Sequence, residues 1–202
     1  MSINLILSLR DITLLKLQEG DEDEIYVIGG VKITRDGNPV VAKSKYFASS
    51  NVMTFTQSDK GQPRRLNPQG DVYDEVLEDD EVAYTRIYVV EHDAASTVQD
   101  ITGKLREFLE NTDLSELLEN TPLEQGADLA KILLEFIDTL GNIFDEDDII
   151  GEWQKTYRMK SIKREMSARN ARVLSDKISF AANMDDALYE PVTAEAFFIS
   201  QK

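Results

Sequence analysis

The chain contains no cysteine, which excludes a disulfide framework, a thiolate metal site and a thiol nucleophile together. A reducing compartment fits that absence. Histidine is nearly absent too: His92 is the single one, so no H-E-x-x-H zinc helix can be written. Catalytic templates fare no better, because neither a G-x-S-x-G elbow nor a phosphate-cradling glycine loop is present, and "IGGV" at 28–31 lacks the spacing for one. Long apolar runs are missing as well. The opening stretch "MSINLILSLRD" is too short for a membrane span or a signal core and carries no basic leader. The expected molecule is soluble, cytoplasmic or exported without a recognisable signal peptide, and without a transmembrane segment.

Positive charge is scarce: 22 Lys and Arg stand against 38 Asp and Glu, for a net charge of −16. Its distribution is uneven. Positions 91–152 hold 17 acids and only Lys104, Arg106 and Lys131 as bases, a local charge of −14. The balance inverts at 155–177, where Lys155, Arg158, Lys160, Lys163, Arg164, Arg169, Arg172 and Lys177 meet only Glu165 and Asp176. A field of this sign repels phosphate backbones, so nucleic acid is not an expected partner.

What is present is enough for one domain: 202 residues, 42% of them hydrophobic, supply a proper core. The first 90 residues read as strands and turns. "INLILSLRDITLLKL" and "EIYVIGGVKI" are separated by the acidic turn "QEGDED", and "VVAKSKYF" follows "RDGNP". Residues 49–71, polar and with two prolines and two glycines, read as a long loop or a ragged edge strand. In "VAYTRIYVVE", Val82, Tyr84, Arg86, Tyr88 and Val90 share one face, the period of a sheet.

The period then changes. Ser96 with Gln99 makes a capping-box start for a helix to about residue 111, and Thr121, Pro122 and Glu124 start a second that Gly141 can end. Beyond 142 the strands return: "EWQKTYRMKSI" places Trp153, Lys155, Tyr157 and Met159 on one face, and 173–182 and 191–200 read as further strands. The simplest architecture is mainly β (α+β overall): a single antiparallel β-sandwich domain over 1–202, interrupted by a helical insertion of two or three helices at about 96–142.

Three acidic stretches resemble the loop motifs of the C2-type β-sandwich: "DEDEIYV" at 21–27, "VVEHD" at 89–93 and "DDIIGEW" at 147–153. "VQDITG" at 98–103 is a competing close for the second loop, which would place the insertion after that loop instead of within it. The resemblance implies a C2-like fold whose loops bind Ca2+, with Asp21, Asp23 and Glu24 facing Glu91 and Asp93, and Asp145, Asp147 and Asp148 completing the cage. Calcium takes six to eight oxygen ligands, which loops from different strands can supply. The run at 144–153 taken alone is not an EF-hand, since Ile150 occupies the turn position and Thr156 the final one.

Four functions compete on these grounds. The favoured one is a non-catalytic binding or assembly protein, a C2-like sandwich making protein–protein contacts through its loops and the acidic insertion, with a protein partner or a like subunit. The runner-up is a Ca2+-dependent C2-type module, which would approach anionic membrane only with Ca2+ bound. An acidic nucleic-acid mimic would need two rows of carboxylates at phosphate-like spacing. A hydrolase using Asp or Glu would need a nucleophile signature that is missing, so the protein is not expected to be an enzyme.

Overall fold

The computed structural model describes residues 2–17, 22–35, 38–49, 51–92, 148–184 and 187–201. Among these residues nine strands form in chain order: β1 Ile3–Lys16, β2 Glu22–Arg35, β3 Asn38–Ala48, β4 Met53–Thr56, β5 Pro63–Leu77, β6 Glu81–Glu91, β7 Asp148–Arg158, β8 Val173–Met184 and β9 Ala187–Ser200. A 3-10 turn, Gln57–Asp59, follows β4, and one α-helix, α1 Met159–Arg169, lies between β7 and β8. Two antiparallel sheets pack as a sandwich. The first has the order β5-β1-β9-β8; the second has β3-β2-β6-β7, with β4 pairing the start of β2.

The apolar spacing of β1 sets this up. Ile3, Leu5, Leu7 and Leu9 alternate into the core, and then the apolar positions jump to Ile12 and Leu14, all at most 1% exposed. An unbroken strand would turn the second set to solvent. The pairing with both neighbours slips just after Leu9, so an irregularity in the ladder restores the second set to the core face.

The glycines of "IGGV" belong to packing. A Cβ on Gly29 would collide with the Phe47 ring and the Arg86 carbonyl, and one on Gly30 would lie 2.6 Å from Tyr46 Cδ1. The pair lets β3's two aromatic rings lie flat on β2, one on each face. Gly151 has the same role between the sheets: a Cβ there would lie 2.5 Å from that of Ala182, where β7 of one sheet meets β8 of the other.

Several expectations are revised. Residues 51–71 form β4, the 3-10 turn and the first part of β5, whose place at the edge of its sheet matches the edge-strand reading. In β6 both faces are buried: Ala83, Ile87 and Val89 point into the core, while Val82, Arg86, Tyr88 and Val90 are at most 8% exposed on the other side. The strand expected to run through Ile162 ends at Arg158, and α1 begins at Met159. Met159 serves both patterns, closing the inward row Trp153, Tyr157 and opening the helical row Met159, Ile162, Met166. Asn170, at φ 49°, ends the helix in the left-handed conformation, and Ala171 N–H closes back on the Met166 carbonyl at 2.9 Å. Among the described residues this is the single α-helix; the two or three helices expected at 96–142 lie outside them.

Candidate functional site

The described parts of the acidic stretches that suggested a calcium cage fall at one end of the sandwich. There β2 begins, β6 ends and β7 begins, with Ile25 opposite Glu91 and Glu91 opposite Asp148. Asp23, Glu24, Glu91 and the backbone of Asp148 are thus brought together on adjacent strands; Asp21, Asp93, Asp145 and Asp147 lie outside the described residues.

The side chains divide by strand alternation. Asp23, two residues before the core residue Ile25, points inward and is 5% exposed; Glu91, two beyond Val89, points the same way and is 7% exposed. Glu24 points to the opposite face, where Thr54 Oγ1 donates to its Oε1 at 3.4 Å. Facing Asp23 from the other sheet is Tyr189, fully buried, whose hydroxyl donates to Asp23 Oδ2 at 2.9 Å. Burial raises the Tyr189 phenol well above its ordinary value, and the negative charges of Asp23 and Glu91 push it the same way. Edge-to-face packing on Phe55, with centroids 5.3 Å apart, fixes the ring. The inward carboxylate is therefore met by a phenol proton across the sandwich. Among the described residues, no group of three or more acids or histidines is close enough to hold a metal ion.

His92 is equally tied to the framework. Its backbone N–H donates to the Glu24 carbonyl at 2.8 Å, and its ring packs edge-on against Tyr26, centroids 6.0 Å apart.

The opposite end carries α1 and the other sign of charge. The inward face of the helix is Met159, Ile162 and Met166. Lys163, on its flank, donates to Asp79 in the β5–β6 turn, and this hydrogen bond holds the Asp79 carboxyl below the usual carboxylate range. Lys155 Nζ and the Tyr157 hydroxyl both donate to Asp176, at 2.6 and 2.7 Å, which ties β7 to β8. Arg169 reaches back one turn to Glu165 at 2.7 Å. The remaining cations of the segment, Arg158, Lys160, Arg164, Arg172 and Lys177, are exposed and make no ion pair among the described residues. Lys160 and Arg164 stand four residues apart on the solvent side of the helix, with Arg158 just before it.

Sequence reasoning located the carboxylates and the basic segment, Asp176 among them, but did not connect Tyr189 with Asp23, Asp79 with Lys163 or Asp176 with Lys155. No protein-family model matches the chain, and a search of curated proteins finds no significant match.

Proposed function

We propose that this is a non-catalytic binding and assembly protein, a C2-like sandwich that makes protein–protein contacts at its ends. The partner its own charge pattern fits is a like chain: the basic α1 end of one copy meets the acidic stretch 91–152 of another, head to tail. The observation that carries this reading is the exposed, unmatched set Arg158, Lys160, Arg164 and Arg172 at the α1 end, on a chain with 38 acids. A solvated helix with balanced charges would need no partner, whereas here three acids packed beside the segment, Asp79, Glu165 and Asp176, are already engaged by Lys163, Arg169 and Lys155.

Sedimentation of the intact chain across a salt series tests it. Association present in low salt and lost as salt rises is the expected result, because exposed opposite charges more than a Debye length apart are screened. A mass independent of salt would overturn it.

A calcium-dependent C2 module is the second reading, favoured by Asp23, Glu24, Glu91 and the start of β7 sharing one end of the sandwich. Calorimetry with Ca2+ decides it: binding with thermal stabilisation supports the module, and no heat at millimolar ion removes it.

A further inference from the structure

The outward face of the four-stranded sheet has an order of its own. Register places its outward side chains in rows across β5-β1-β9-β8: Val76, Asn4, Ile199 and Val173; then Asp74, Ile6, Phe197 and Ser175; then Asp71, Ser8, Glu195 and Lys177. Val76 and Val173 are 46% and 52% exposed, among the few large apolar side chains on the described surface. Ile6, Phe197 and Ile199 lie between them, half-buried. Read from edge to edge, the face carries Asp71 and Asp74 on β5, an apolar middle of Ile6, Phe197 and Ile199 on β1 and β9 bounded by Asn4 on one side and by Ser8 and the Arg10–Glu195 pair on the other, and Lys177 on β8.

From this pattern we infer that the face is a two-fold interface between two copies of the chain. A two-fold axis between the copies, running along the strands, turns β5 of each over β8 of the other. Asp71 then faces Lys177, Val76 faces Val173, and the Ile6, Phe197 and Ile199 side chains close the middle. An axis running across the strands fails, since it sets β5 on β5 with acid against acid and puts Val173 opposite the charged row. The self-complementarity required of an isologous contact is thus met in one orientation.

The size sets the strength. Four strands about 4.8 Å apart, each contributing about seven residues at 3.4 Å, make a face of roughly 450 Å² per copy. Standard specific interfaces bury about 800 Å² per partner. The dimer is therefore weak and concentration-dependent. Each copy also carries −16, so salt screens the mutual repulsion and strengthens this contact. The head-to-tail contact proposed above responds in the opposite sense and uses a different surface, so either can fail alone.

The chain has no cysteine of its own, which makes disulfide trapping in high salt a clean test. A mixture of Val76→Cys and Val173→Cys chains should give the mixed disulfide dimer, and either variant alone little of it. Val173→Lys, with an unchanged unfolding midpoint, should raise the self-dissociation constant by about tenfold or more, the effect of setting a charge against an apolar row. Lys160→Glu combined with Arg164→Glu should leave this dimer intact. A monomer at every concentration in high salt overturns the inference, as does trapping no better than with Lys60→Cys, or Val76→Cys trapping itself as readily as the mixture.

Discussion

The two ends of the sandwich carry opposite charge and treat it in opposite ways. At the end where β2 starts and β6 stops, the carboxylates of Asp23 and Glu91 are turned inward, and Tyr189 reaches across from the other sheet to meet Asp23. At the α1 end, Arg158, Lys160, Arg164 and Arg172 face solvent, while Asp176, Asp79 and Glu165 are taken by Lys155, Lys163 and Arg169. The difference separates charge that builds the fold from charge that remains for contact. A buried carboxylate must be satisfied or the fold loses several kcal/mol; an exposed lysine contributes almost nothing to stability and is available to a partner.

Changes at the acid end should therefore show up in stability, and the largest is expected from Tyr189. Tyr189→Ala removes a fully buried ring packed on Phe55 together with the proton donated to Asp23, and should destabilise by about 3–5 kcal/mol. Tyr189→Phe keeps the ring, deletes only the donor and should lose about 1–2 kcal/mol. Urea unfolding of the two variants separates packing from hydrogen bonding; equal losses would mean that the phenol proton does nothing for Asp23.

Alkaline unfolding probes the same burial. Tyr73, Tyr88, Tyr157 and Tyr189 are all raised, burial being the largest cause in each, and Tyr88 is pushed up to about 12. The folded state holds these protons while an unfolded phenol releases its own near pH 10. Stability is thus level with respect to these groups below about pH 10. It falls as pH rises toward 12, by up to about 1.4 kcal/mol per pH unit for each tyrosine. Tyr189→Phe should reduce that slope by one proton's worth, and an unchanged slope would show that its phenol titrates alike in both states.

At the basic end the expected effects on stability are small. Lys163→Ala breaks the pair with Asp79, which is half exposed and should lower stability by less than about 1 kcal/mol. A loss several times larger would make α1 part of the fold's support and blur the contrast between the ends.

Much of the fold is legible in the chain because strand signals are local: β1, β2, β3, β6, β7, β8 and β9 stand where the sequence reads as strands and turns, β6 and β7 on a period of two. The jump from Leu9 to Ile12 even marks the irregularity in β1. The helix α1 is hidden because Met159 completes the strand's inward row before it begins the helix's own, and eleven residues give the helical period little room. The site is less legible. Tyr189 pairs with Asp23 across 166 positions, and no spacing in the chain connects "DEDEIYV" with "DALYEP". Of the acids read as a cage, Asp23, Glu24 and Glu91 lie at one end of the described molecule, where strand alternation splits them between two faces: Asp23 and Glu91 point inward, Glu24 does not. In the run "FDEDDIIGEW", the glycine is the most interpretable residue, since it admits Ala182 where the two sheets meet.

The contrast between the ends rests most directly on Lys160→Glu combined with Arg164→Glu, compared with the unaltered chain by sedimentation in low salt and by urea unfolding. The expected result is an unfolding free energy within about 0.5 kcal/mol of the unaltered chain, together with loss of the association that salt weakens. Association that weakens as salt rises and persists in the variant would contradict it.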